Sequence, residues 1–229
     1  MIECAVRWSE PLPAEPRFLA LLDELEQGRY DNYRQDIDKR RFLTGRVLAK
    51  TVAAERLGLA VEAVSFDATC EDCGKPHGRP RVPDAPLMLS ISHSGDLIGV
   101  AATAGTPVGL DVETANRRAE DSLLEYALTP AEQSAISGLL AEQRATAFFT
   151  YWTRKEAVMK ATGKGLKIPL QSITFSGYDE DARLVRSSHP ALDPERTRLA
   201  DLKATEGYRA AVALITTDEI SVTEDFATL

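Results

Sequence analysis

Apolar side chains recur along this chain in two rhythms, one helical and one alternating. "FLALLDELEQG", residues 18 to 28, predicts a short amphipathic helix stopped by Gly28. "DKRRFLTGRVLAKTVAAERLGL" predicts a longer helix, with Leu43, Val47, Leu48 and Val52 at helical spacing and Gly58 as its stop. Residues 67 to 86, "DATCEDCGKPHGRPRVPDAP", are dense in Gly, Pro and Asp and read as a loop. The alternating rhythm follows. "LMLSIS", "LIGVAAT" and "VGLDVE" predict three strands, separated by the turns "SHSGD" and "TAGTP", in an antiparallel meander. Residues 114 to 147 read as mostly helical. Within them "TPAEQSAI" carries a start signal: Thr129 as N-cap, Pro130 in the first position and Glu132 in the third. "FFTYWTRKEAVMKATGKGL", residues 148 to 166, predicts a helix ending in a Gly-Lys-Gly turn. "SITFSGY" and "YRAAVALI" read as later strands, and no internal sequence repeat is visible.

Composition narrows the class. The 229 residues are 44% hydrophobic and 27% charged, ordinary for a globular chain of one large or two smaller domains. The N-terminus lacks a basic start followed by an apolar run, and no apolar stretch approaches the ~20 residues of a membrane span, so the expectation is a cytoplasmic protein off the membrane. Three cysteines argue against a disulfide framework. A formal charge of -8 argues against nucleic acid as partner, while leaving room for a local basic pocket.

The candidate chemistry lies in two stretches. In "VGLDVE" the apolar Val108, Leu110 and Val112 alternate with Gly109, Asp111 and Glu113. The apolar set faces the core and both carboxylates point the other way. Side by side they repel unless a cation sits between them, and Mg²⁺ is the economical one, though two solvated acids would read the same way. Glu156 lies on the helical segment with Trp152 one turn earlier and Lys160 one turn later, near Lys155 and Lys164. A third carboxylate from this helix would complete a metal site, and lysines around it would neutralise phosphate. Arg41, Arg46 and Lys50 decorate the earlier helix, as a solvated face or as phosphate ligands. Cys70, Cys73 and His77 have the look of zinc ligands, but a closed site needs four, and only Cys4 is left to offer.

Together these blocks resemble the 4′-phosphopantetheinyl transferases, in particular their long, Sfp-type branch. "RRFLTGRVL" is similar to the family's arginine-bearing helix, "GRP" at 78 to 80 to its Gly-Lys-Pro loop, and "SISHSG" to its histidine turn. "VGLDVE" is similar to its G-x-D-x-E strand, and residues 148 to 166 to its W-[ST]-x-K-E-A-x-x-K-x-x-G-x-G-L block. The last two, in this order and some 40 residues apart, are a specific combination. The resemblance implies an α+β fold of two similar halves forming an intramolecular pseudo-dimer, 1–105 and 106–229, with coenzyme A in the groove between them. It implies transfer of the phosphopantetheine arm of coenzyme A to a serine of an apo acyl or peptidyl carrier protein, releasing 3′,5′-ADP. By position, Asp111, Glu113 and Glu156 would hold Mg²⁺ or Mn²⁺. Glu156 would take the serine proton, and Lys160 would offset charge on the departing group. Lys155 and Lys160 would contact phosphate, while His93, Arg79 and Arg41 would surround the 3′-phosphate end. The chain departs from the pattern in carrying both Gly74-Lys75-Pro76 and Gly78-Arg79-Pro80, so Lys75 competes with Arg79. Whether Lys160 faces Glu156 or phosphate stays open. A short branch of the family trimerises, so a chain of this length is expected to act as a monomer. "GKGLKIPL", residues 163 to 170, is a candidate dock for the carrier, with Lys164 and Lys167 outward and Leu166, Ile168 and Leu170 as an apolar edge.

Overall fold

A computed structural model describes residues 1–69, 73–75, 78–116 and 118–229 of the chain. The elements are β1 (Ile2–Ser9), α1 (Pro16–Leu19), α2 (Glu24–Asn32), α3 (Asp36–Leu57), β2 (Leu87–Ser94), β3 (Leu97–Ala104), β4 (Val108–Thr114), α4 (Asp121–Ala127), α5 (Pro130–Ile136), α6 (Ala141–Thr162), β5 (Ile173–Phe175), β6 (Leu184–Ser187), β7 (Thr197–Leu202), β8 (Tyr208–Ile215) and β9 (Ile220–Phe226). One sheet has the order β2-β3-β1-β9, a second β4-β8-β7, and β5-β6 form a hairpin.

The two larger sheets share one plan. In each half a strand leads through helices to an antiparallel pair, giving β2-β3-β1 in the first and β7-β8-β4 in the second. Each half also carries a 22-residue helix, α3 or α6, ended by a glycine in the left-handed region: Gly58 at φ 67° and Gly163 at φ 71°. The expected α+β architecture of two similar halves is therefore present. The final strand breaks the symmetry. β9 pairs in parallel with β1, so residues 220 to 226 complete the first half's sheet rather than the second's, against the division expected at 105/106.

The expected meander is half right. β2 and β3 form an antiparallel hairpin, but β4 leaves that sheet to pair with β8. Alternation sets which face of a strand is buried, not which strand lies beside it. The halves meet across an apolar layer of Trp8, Leu97, Val108, Leu110, Val112 and Val212. A Cβ on Gly99 would overlap the Trp8 indole, so only glycine lets β3 pass under that ring. Burying Trp8 contributes about 4–6 kcal/mol by area. No helix among the described residues is long and apolar enough to cross a membrane.

Candidate active site

The site is built where α6 lies on β4. At Gly109 a Cβ would overlap the backbone of Ala157 and Ala161, so glycine lets the helix touch the strand directly. The apolar face of β4 is buried between the halves. Asp111 and Glu113 fall on the other face, as the alternation predicts. Asp111 is 5% exposed and Glu113 only partly covered.

Lys160 takes a partner that the sequence reading did not offer it: it faces Asp111 at the groove wall, not Glu156. Its ammonium donates to Asp111 Oδ1 at 2.7 Å, to the Leu110 carbonyl at 3.0 Å and to Ser92 Oγ at 3.0 Å. Burial pushes the Asp111 carboxyl up, and Lys160 pulls it back. Asp111 Oδ1 is thus doubly held, whereas Oδ2 is buried with no partner. An unpaired buried carboxylate oxygen is costly, and it suits a hard cation. Glu156 is half-buried nearby. Burial first, then the charges of Asp111 and Glu113, push its carboxyl up, with Lys160 opposing. The three acids therefore feel one another. Among the described residues no three His, Cys, Asp or Glu side chains converge closely enough to hold a metal ion as they stand.

A cavity of about 570 Å³ opens beside Lys160 and runs between the halves. Its lining includes Arg41, Arg79, His93, Met159, Lys160 and Lys164. Arg41 is fixed by donating to the Gly95 carbonyl at 2.8 Å and to Asp38 Oδ1 at 3.0 Å. Arg79 donates to the carbonyls of Lys160 and Ala161, joining the loop to the last turn of α6. Partial desolvation, then the charges of Arg41 and Lys160, hold the His93 imidazole below its ordinary value. Lys75 is exposed and outside the cavity lining. A larger depression of about 900 Å³ lies past the end of β4, around Asn116, Arg118 and Arg209, and contains none of the residues singled out from sequence.

Lys155 departs from expectation. It is wholly buried, and its ammonium meets Glu132 at 2.8 Å and the carbonyls of Leu170 and Ile173, each at 2.8 Å. It belongs to the second half's core and does not reach the groove, so a phosphate contact by Lys155 is excluded in this conformation. Burial lowers its proton affinity and Glu132 restores it. Glu132 also closes the capping box of α5, as its position predicts. Arg46 and Lys50, left open as surface or ligand, pair with Glu26 at 3.6 and 2.8 Å away from the surface, and Arg46 also lines the groove whereas Lys50 does not. The candidate dock holds only in its charges: Lys164 and Lys167 are exposed as expected, but Ile168 and Leu170 are 1% and 4% exposed and offer no apolar edge, and Lys164 also lines the groove. The side chain of Leu166 lies outside the described residues, as do Cys70 and His77 with the zinc reading.

The reading from sequence missed the serines of β2. Ser92 and Ser94 donate to Asp111 Oδ1 at 3.0 Å and Glu113 Oε2 at 2.7 Å. Their signal was legible: Ser90, Ser92 and Ser94 alternate with Leu89, Ile91 and His93. Arg29 and Tyr33, also in the groove lining, carried no motif.

Comparison with known proteins places this architecture. Residues 7–105 match the model of the 4′-phosphopantetheinyl transferase N-terminal family, and residues 107–213 that of the 4′-phosphopantetheinyl transferase superfamily. A 4′-phosphopantetheinyl transferase of Bacillus subtilis is 30% identical over 178 residues, covering 76% of each chain. The Nostoc transferase HetI is 32% identical over 148 residues, covering 64% of this chain and 62% of its own. Sfp of Bacillus subtilis is 28% identical over 162 residues, covering 69% of this chain and 67% of its own. The chain belongs to the 4′-phosphopantetheinyl transferase family, and it is an enzyme of that family.

Proposed function

We propose that the groove binds coenzyme A and that the acids at its end direct the phosphopantetheine arm onto a serine of an apo acyl or peptidyl carrier protein. The observation that carries this is the arrangement of charge. Arg41, Arg79, His93 and Lys164 line the cavity, and Lys160 joins that lining to Asp111. Coenzyme A carries about four negative charges at neutral pH, so an acidic protein needs such a local pocket. His93, Arg79 and Arg41 face the 3′-phosphate end. Lys160 stands between the phosphates and the acids.

Asp111, Glu113 and Glu156 would hold Mg²⁺, with Mn²⁺ as a substitute. Oxygen donors and the unpartnered Asp111 Oδ2 suit such an ion. When bound, it would neutralise the pyrophosphate and lower the cost of charge on the leaving group. Glu156 takes the proton from the carrier serine. Burial and its acidic neighbours push its carboxyl up, a bound cation would draw it back, and its place on α6 beside Asp111 and Glu113 is what supports this role. The serine oxygen bonds to the phosphorus that bears the pantetheine arm, the pyrophosphate P–O bond breaks, and 3′,5′-ADP leaves beside Lys160 and the basic lining. With both halves in one chain, the enzyme acts as a cytoplasmic monomer.

The test is the mass of an apo carrier protein after incubation with coenzyme A and Mg²⁺. A gain equal to the phosphopantetheine arm supports transfer. Release of phosphopantetheine with no gain assigns the site to hydrolysis, and coenzyme A left intact beside a bound carrier assigns it to binding alone.

A further inference from the structure

Ser90, Ser92 and Ser94 alternate along β2 and share one face. That face meets the edge of β4 that pairs with no strand among the described residues: Ser90 Oγ accepts from the Leu110 amide at 2.9 Å, Ser92 Oγ from Val112 at 3.3 Å and Ser94 Oγ from Thr114 at 3.2 Å. Alternate amides of a strand point to the same edge, so three hydroxyls spaced by two satisfy the row that a neighbouring strand would otherwise take. A hydroxyl that accepts from an amide still has its proton to give. Ser92 gives it to Asp111 Oδ1 and Ser94 to Glu113 Oε2. Ser92 accepts from Lys160 as well, which uses all of its hydrogen-bonding capacity. His93, between them on the opposite face, lines the groove.

We propose that this serine ladder aims the carboxylates at the divalent cation, which makes Ser92 and Ser94 positioning residues for metal binding. The ladder fixes Asp111 by one oxygen and leaves Oδ2 for the ion; Ser94 sets the rotamer of Glu113 from the same strand. A hydroxyl that holds a ligand by its far oxygen lowers the cost of ordering that ligand, and loss of such a partner weakens metal binding about 10–100-fold. The inference rests on the reading of the three acids as metal ligands.

Ser94 is the residue to vary, because it is half-buried and Ser92 is not. Mn²⁺ binding is measured by electron paramagnetic resonance on the coenzyme A complex without carrier protein, beside kcat, the KM for coenzyme A, and Tm. Ser94→Ala is expected to raise the Mn²⁺ dissociation constant about tenfold and to lower kcat at limiting Mg²⁺. Excess Mg²⁺ restores kcat, and the KM for coenzyme A at saturating Mg²⁺ stays near wild type. Ser94→Thr, which keeps the hydroxyl, restores tight Mn²⁺ binding. Should Ser94→Ala not fold, Ser94→Cys keeps the volume, weakens the donor and is expected to give the same rise. A Mn²⁺ constant within twofold of wild type overturns the proposal whatever happens to Tm, and leaves the ladder as a joint between the halves. A wild-type complex that binds no Mn²⁺ overturns the carboxylate reading itself.

Discussion

Lys155 and Lys160 stand on one helix, and each meets a carboxylate: Glu132 at 2.8 Å and Asp111 at 2.7 Å. Their surroundings differ. The Lys155 side chain is 0% exposed and Glu132 1%, whereas Lys160 is 31% exposed at the groove wall. Each ammonium has three donors. Those of Lys155 all end inside the second half's core, on Glu132 and two carbonyls. Those of Lys160 end on Asp111, Leu110 and Ser92, where a phosphate arriving along the groove can share them. The same ion pair is a structural joint in one place and part of a binding wall in the other. What separates them is access, not residue type.

The largest effect expected from this contrast is on stability. Lys155→Ala leaves Glu132 buried with its charge uncompensated, and breaking a buried pair on one side costs about 3–5 kcal/mol. For a chain of this size that is a fall in Tm of about 10 °C. The KM for coenzyme A should stay near wild type in the folded fraction. A raised KM with an unchanged Tm would return Lys155 to the nucleotide pocket and erase the contrast.

The groove pair should behave in the opposite way. Asp111→Asn keeps the shape and a carbonyl oxygen for Lys160 but removes the charge that a cation would need. Transfer is expected to fall about 10²–10³-fold, or about 3–4 kcal/mol of transition-state stabilisation. Tm should move by only a few degrees, since burial already works against the ionised form of Asp111. Alanine is the poorer probe: the two acids do not simply repel across the site, because Lys160 and the serines hold them. A near wild-type rate in Asp111→Asn would sink the metal reading.

The motif block that makes both lysines look functional already contains the clue that they are not alike. Residues four apart share a helix face, so Glu156 and Lys160 are neighbours by periodicity, while Lys155 points about 140° away from Lys160. Helix α3, the β2–β3 hairpin, the α5 cap and the outward face of Asp111 and Glu113 were legible for the same reason, since each depends on local rhythm or capping. The exchange of β4 into the second sheet and the return of β9 to the first were not, because partner choice is set by packing between distant segments. The burial of Ile168 and Leu170 was hidden likewise: alternation looks the same on an exposed edge and a covered one.

The smallest expected effect separates Lys75 from Arg79 in the Gly/Pro-rich loop. Arg79 lies in the groove lining and is tied to the last carbonyls of α6, whereas Lys75 is exposed and away from it. If Arg79 and His93 grip the 3′-phosphate, dephospho-coenzyme A should show a KM about tenfold higher than coenzyme A with the wild type, about 1.4 kcal/mol. Arg79→Ala confounds this with loss of the helix-end contacts, so the ratio of the two KM values, not either alone, is the readout. Misplacing α6 would weaken both ligands together and leave the ratio unchanged. His93→Ala supplies an independent arm, because His93 lines the groove from β2, without Arg79's hydrogen bonds to the end of α6. Both variants should pull the ratio toward one, and Lys75→Ala should leave it near ten. A ratio that collapses in Lys75→Ala and survives in the other two would transfer the phosphate contact to the outer loop, and would mean that the loop closes over the groove when the nucleotide binds.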